Sequence, residues 1–575
     1  MSLPASVRLR RALCLLLVLA ATAATFLPVL DNGFTSGDDE VYLTGNPLVR
    51  DLSWQGARKI FTSYVSGNYH PLVFLLHAVE FKLFGLQPRP YHALSLALHL
   101  AAAALVFELL LLLGGGLPAA TAGALLFALH PTRVETVAWV ADRKDLLAAV
   151  FCLAALVAYL RGVRGDGRRL PWLVFPLFVF ALLSKGTAVT LPLALLLCDF
   201  LFGRLDRRAV REKLPLLALS LVFGAVALLA RGSYQGILAE GSYRAPEILY
   251  LGVHRLAWHY PARFLLPVTG VVPLYPPLGP GMGFDDLRLL AWVGLIAVAC
   301  GAALLSLRRT RKVAFGAGFF LLNLLPSLPV TVLGFSADRF AYLPAFGLAY
   351  LAGEAFQRLW DGRAAPRGSA APAARRFAAG LALLGLSAAL ALLSWRQCAV
   401  WRDSVTLWTE AVASYPEAPG HAANRAWAHY YRGLAHRRHG DTTAALADFT
   451  RALELDPGKV EAYNERGIIR TEAGDTALAI ADFQRGLEID AGNPLLNLNL
   501  GILHLNAGEP ARALPFFERA LERDAASAAA HMGRARALFA RGEHRRSLED
   551  LNRAEALGYA PDPALRRALA ERPGR

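Results

Sequence analysis

Long apolar runs recur through residues 10–395, separated by short polar stretches, and give way to a charged, water-facing helical pattern over 401–575. The runs lie near residues 10–30, 91–113, 119–131, 145–160, 171–184, 187–201, 214–231, 289–307, 313–333, 339–357 and 377–395. They predict about eleven membrane crossings, several shorter than the roughly 20 residues of a straight span. The first follows the basic start Arg8, Arg10 and Arg11. With no small-residue cleavage site leading into a soluble domain, it reads as an uncleaved anchor. The segment 248–268 is apolar but carries His254, Arg255, His259 and Arg263, and reads as lying along or dipping into the membrane surface.

After residue 423 the sequence repeats itself. Gly433, Gly467 and Gly501 are spaced by 34, and so are Gly440, Gly474 and Gly508, Ala445, Ala479 and Ala513, and Phe449, Phe483 and Phe517. That period with those residue types is the tetratricopeptide-repeat (TPR) signature. A fourth, degenerate copy keeps Gly542 and Ala554. The small residues let the paired helices approach, Phe449 and its equivalents fill the space between them, and Pro457 ends the first pair. The predicted fold is therefore all-α: a polytopic helix bundle over residues 1–400, a connecting helix or linker at 401–422, and an α-solenoid of about four TPR helix pairs over 423–575. Such solenoids hold extended peptides or partner helices in a concave groove.

Composition agrees: 55% of the residues are hydrophobic and only 18% charged, against about 25% charged in soluble domains. The net charge of +15 is not gathered on one soluble face, which argues against nucleic acid as a partner. It sits in short loops: Arg161, Arg164, Arg168 and Arg169; Arg204, Arg207, Arg208 and Arg211; Arg308, Arg309, Arg311 and Lys312. With a cytoplasmic N-terminus and an odd number of spans, these loops and 357–376 fall on the cytoplasmic side. Loop 31–90, the segment 132–144, the stretch 232–288 and the TPR domain then lie outside. The five cysteines are scattered, with no metal spacing, and read as small apolar fillers. No metal site is expected.

Polar residues gather beside the spans. Loop 31–90 opens D-N-G-F-T-S-G-D-D-E, placing Asp38, Asp39 and Glu40 just after the first span. Adjacent carboxylates there suit proton abstraction from a hydroxyl, or metal binding; a solvated acidic loop is the plainer alternative. N-Y-H-P-L supplies His70; His92 and His99 fall on a span. H-P-T-R-V-E-T-V-A-W-V-A-D-R-K-D supplies His130, Arg133, Glu135, Asp142, Arg143, Lys144 and Asp145. S-K-G-T-A-V-T-L-P adds Lys185, and A-D-R-F-A-Y-L-P adds Asp338 and Arg339. Some could be structural pairs, such as Arg133 or Arg143 neutralising Glu135 or Asp142. Ionisable groups in or beside spans are costly and tend to be functional. The set suits transfer from a lipid-linked phosphate donor. Asp38 or Asp39 would deprotonate a hydroxyl, and Arg133, Arg143, Lys185 and Arg339 would hold the phosphate. Glu40, His70 and His130 would position acceptor or substrate.

These motifs, their order, W-R-D-S-V-T-L-W at 401–408 and the TPR tail resemble the TMTC-type O-mannosyltransferases. Those are multi-pass glycosyltransferases of the GT-C class, and the resemblance spans nearly the whole chain. It implies a polyprenyl-phosphate sugar as donor, mannose in that group, inversion at the anomeric carbon, and a catalytic acid in the first outer loop. Carried over by motif, Asp38 and Asp39 match the acidic pair, Lys185 the S-K motif and Arg339 the D-R motif. The Ala-, Arg- and Leu-rich composition suggests a bacterial inner-membrane member with its TPRs in the periplasm, acting on protein or peptide acceptors. A membrane-anchored TPR scaffold without catalysis is the alternative. A transporter would favour inverted repeats, which the sequence lacks.

Overall fold

The computed structural model describes residues 4–164, 170–235, 245–267, 287–327, 336–362, 372–415, 417 and 421–571. Several expectations therefore touch residues outside this set: Arg168 and Arg169, the end of the 313–333 span, much of 232–288, and the middle of the 357–376 loop. Among the described residues the protein is helical, with a lone bridge between Val65 and Asn68. It divides into two compact units, Met1–Ser414 and Tyr415–Arg575.

Every expected span coincides with a helix. Among the described residues six are long and apolar enough to cross a membrane: Ala5–Asp31, Pro88–Leu112, Val140–Val163, Arg207–Gly232, Leu287–Ser306 and Ala373–Val400. Leu117–Ala128, Val174–Ser184, Gly186–Leu201 and Lys312–Ser327 are shorter apolar helices, and Ala345–Asp361 completes the set. Such a series marks an integral membrane protein, because helices satisfy their own backbone groups in lipid. The core lies among Pro88–Leu112, Leu117–Ala128 and Arg143–Arg164, while Leu287–Ser306 keeps nearly all its apolar side chains on the outside. Internal charges are paired: Lys213 donates to Asp199 and to the Tyr159 hydroxyl, at 2.6 and 2.7 Å.

Two stretches differ from expectation. Residues 31–90 are not a plain loop, since Trp54–Thr62 and Pro71–Phe84 are helices. The second buries His77 and Glu80. At the other end, Ser404–Ser414 is a helix within the expected connecting helix or linker at 401–422, but it belongs to the first unit rather than to a separate connection.

Among its described residues the second unit has four helix pairs, from Ala422–Arg438 with Thr442–Leu455 to Ala528–Ala540 with His544–Ala556, followed by Pro563–Ala570. Its two glycine columns do different work. A Cβ on Gly433, Gly467 or Gly501 would stand 2.8, 2.5 or 2.7 Å from the ring of Phe449, Phe483 or Phe517, so the column is a close approach. Gly440, Gly474, Gly508 and Gly542 have φ of 78, 85, 75 and 82°, the left-handed backbone that ends a helix cheaply only at glycine. Buried acids tie the pairs together. Asp448 accepts from His429 and Arg432, Asp482 from Arg466 and Arg470, and Asp550 from His531 and Arg534. In the third pair Leu500 and Phe516 stand in the same positions.

Candidate active site

The first interhelical loop separates the two adjacent aspartates by role. Gly37, at φ 97°, turns the chain so that Asp38 and Asp39 face different surroundings. Asp39 is 1% exposed. Its Oδ2 accepts the Thr35 N–H and hydroxyl at 2.7 and 3.1 Å, and its Oδ1 accepts the Ala141 N–H at 2.7 Å. The carboxylate thereby staples the loop to the 132–144 segment. Burial pushes its pKa up to about 6; the bonds from Thr35 and Ala141 pull down, and Asp38 adds to the rise. Asp38, in contrast, has a side chain 42% exposed, with Lys144 Nζ 3.8 Å from its Oδ2. Lys144 also stands 4.4 Å from the centre of the Tyr42 ring. Glu40 begins the next turn, half-buried.

Around Asp38 the chain gathers further charges. Arg339 is paired with Glu135 through both its guanidinium and its backbone N–H, and its Nε lies 3.8 Å from Asp142. Burial works against the Arg339 charge, but Glu135, Asp142, Asp38 and Asp145 outweigh it and raise its pKa. Lys185 donates to both oxygens of Asp145. Asp142 is 0% exposed, and neither of its oxygens accepts a hydrogen bond among the described residues. His70 is buried beside the Tyr42 ring. Burial, then Lys144 and Lys185, push it well below the ordinary histidine range, so it is a neutral ring near neutral pH.

Three expected site residues lie elsewhere. Arg133 is spent on the Ala341 and Tyr342 carbonyls and the Thr132 hydroxyl. Arg143 is paired with Glu80 and donates to the Tyr91 carbonyl at 2.6 Å. His130 bridges the Thr132 hydroxyl and the Phe264 carbonyl, at 2.8 and 2.9 Å. These side chains hold helices together, because a buried polar group must find a partner. The pairing of Arg133 or Arg143 with Glu135 or Asp142 is likewise replaced: Arg339 takes Glu135, and Arg263 takes Asp338 in a bidentate pair at 2.8 and 2.9 Å. His92 and His99 are also bonded structurally, to Gly33 and to Tyr342 with Ala128. Lys144, Asp142 and Asp145 belong to the charged cluster. Their signal was present in D-R-K-D, where helical geometry points Arg143 away from its neighbours. Among the described residues no group of three or more His, Cys, Asp or Glu is arranged to hold a metal.

The chain is 31% identical over 206 residues to the Drosophila melanogaster protein O-mannosyl-transferase Tmtc2, covering 32% of this chain and 22% of that protein. A wider match, 24% identical over 476 residues, covers 77% of this chain and 63% of the Caenorhabditis elegans protein O-mannosyl-transferase F38B6.6. This chain is related to the TMTC proteins. The matches span about a fifth of the Drosophila TMTC protein and under two thirds of the nematode one. A tetratricopeptide-repeat family model matches residues 430–494 and 498–564. Among solved structures, MamA aligns with 26% of this chain and 88% of its own, at 17% identity and a TM-score of 0.23.

Proposed function

We propose that the chain is a membrane glycosyltransferase of the GT-C type. It moves a sugar, mannose by resemblance, from a polyprenyl-phosphate carrier to hydroxyl groups of protein acceptors, with inversion at the anomeric carbon. It works in a bacterial inner membrane, and its repeats dock the acceptor in the periplasm. The observation that carries this reading is the meeting of a half-exposed carboxylate, Asp38, with Lys144 at 3.8 Å, beside the Arg339–Glu135 and Lys185–Asp145 pairs.

Asp38 accepts the acceptor's hydroxyl proton as that oxygen bonds to the anomeric carbon. The carbon–oxygen bond to phosphate breaks, and its electron pair leaves with the polyprenyl phosphate. Cations near the leaving oxygens offset the growing charge; Lys144, Arg339 and Lys185 are the ones at hand. Asp39 fixes the loop on which Asp38 stands. The relatives' printed names support the transferase chemistry.

The test is transfer from polyprenyl-phosphate mannose to a serine- and threonine-containing peptide by the purified chain. Asp38→Asn keeps the shape and removes the base, and is expected to lower the rate by about a hundred- to ten-thousand-fold. Wild-type transfer by this variant, or none by the wild-type chain, defeats the reading; the latter favours a membrane-anchored scaffold.

A further inference from the structure

The W-R-D-S-V-T-L-W stretch takes no part in the chemistry above, yet it grips the loop that carries Asp38. The Cys398 carbonyl accepts from Asn32 Nδ2 at 3.2 Å, and the Arg402 carbonyl from the Gly33 N–H at 2.8 Å. Ser404 Oγ accepts the Ser36 N–H at 2.7 Å, and the Trp408 indole N–H donates to Ser36 Oγ at 3.0 Å. Ser36, Ser404 and Trp408 are all buried. The anchored residues immediately precede Gly37 and Asp38, and Asp39 pins the other side through Ala141. The same stretch reaches the cations. Trp401 is fully buried 5.4 Å from the Trp139 ring, and the Arg339 guanidinium carbon lies 5.1 Å from that ring.

We propose that residues 398–408 form a positioning clamp for the active site. Ser404 and Trp408 set where the Asp38 carboxylate stands, and Trp401 supports Arg339 through Trp139. The proposal rests on Asp38 being the base. Asp39 holds one side of this loop through Ala141 and residues 398–408 hold the other, so the two together keep the Asp38 carboxylate to the tolerance that transfer demands. Misplacement by about 1 Å can cost about a hundredfold in rate.

The experiment compares full-length wild type, Ser404→Ala, Ser404→Thr, Trp408→Phe, the Ser404→Ala/Trp408→Phe double variant and Asp38→Asn. For each, kcat, KM for polyprenyl-phosphate mannose and the unfolding midpoint are measured with a small peptide acceptor. The double variant is expected to lose about ten- to a hundredfold in kcat, with KM for the donor unchanged and the chain still folded at the assay temperature, although the unfolding midpoint falls because the buried Ser36 N–H loses its acceptor. Ser404→Thr, which keeps the hydroxyl, retains the rate. If the double variant does not fold, Trp408→Phe alone decides, since it removes the N–H and leaves an aromatic ring. Wild-type kcat in the deciding variant beside an inactive Asp38→Asn overturns the clamp and leaves the base standing. A parallel fall of kcat and donor affinity, with part of the chain unfolded at the assay temperature, overturns it too, because that is general loss of structure. Wild-type transfer by Asp38→Asn removes the reading on which the clamp depends.

Discussion

Two adjacent carboxylates answer differently to one substitution. At Asp39 both oxygens accept N–H donors, so Asn would set its amide against one of them. Asp39→Asn is expected to destabilise the first unit by about 1–3 kcal/mol, the cost of an unsatisfied buried donor, whereas Asp38→Asn leaves the unfolding midpoint alone. Thermal unfolding of the two variants side by side checks this. Asp39 also predicts a pH dependence. Its folded pKa of about 6 lies above the ordinary 3.8, so the folded state takes the proton first. The group's contribution to stability is fully present below about 3.8 and lost as pH rises through about 6. Protonation turns one acceptor into a donor and breaks a tie to Ala141 or Thr35. Transfer rate should therefore fall as pH drops through about 6 while the fold persists; a flat kcat between pH 5 and 7, as assay settings, contradicts it. The sequence made the D-D pair legible as a candidate but not the division of labour within it, which depends on a backbone amide 102 residues away. The same limit misassigned Arg133 and Arg143: charge beside a span marks cost, and only packing reveals whether a ligand or a neighbouring helix meets it.

At the level of elements, periodicity carried most of the reading. The TPR columns fixed helix pairs because a ring can fill a gap only where a glycine recurs opposite it. Gly467→Ala would bring a Cβ to 2.5 Å from Phe483, and overpacking of this kind costs about 1–3 kcal/mol. Asp482→Ala would strip Arg466 and Arg470 of their shared acceptor. Those arginines are partly exposed and can turn to water, so the expected loss is about 1–2 kcal/mol. Chemical unfolding followed by helical circular dichroism measures both. Equivalent changes in the third pair, where Leu500 and Phe516 replace the charges, would be read through burial alone. The helix Pro71–Phe84 escaped the sequence reading because Glu80 and Lys82 interrupt its apolar run. Its acid is tolerable inside because Arg143 answers it from another helix, a compensation that no local window contains.

For the whole molecule, the distribution of basic loops predicts sidedness. Reporter fusions after Arg211 and Lys312 should read cytoplasmic and one after Pro457 external; a cytoplasmic reading after Pro457 would part the acceptor dock from the transfer site. Two compact units also predict separable losses. Removing residues 421–575 should impair transfer to folded protein acceptors more than transfer to a short peptide, measured as the ratio of the two rates. An equal loss would assign the repeats a structural role. The places of the long apolar helices were legible because hydrophobic length is a local property. The meeting of the first loop with residues 398–408 was not, since nothing in either segment names the other.

That meeting has a consequence for how the protein is made. Ser36 leaves the ribosome 368 residues before Ser404. At about 5–20 residues per second, roughly 20–75 s pass before the loop finds its partners. Throughout that interval the segment carrying Asp38 has its Asp39 ties to Thr35 and, once residue 141 is made, to Ala141, but the Ser36 N–H and hydroxyl lack their partners. The proposed active-site loop is thus completed by nearly the last residues of the first unit to be translated, so on this reading its geometry is set only when that unit is whole.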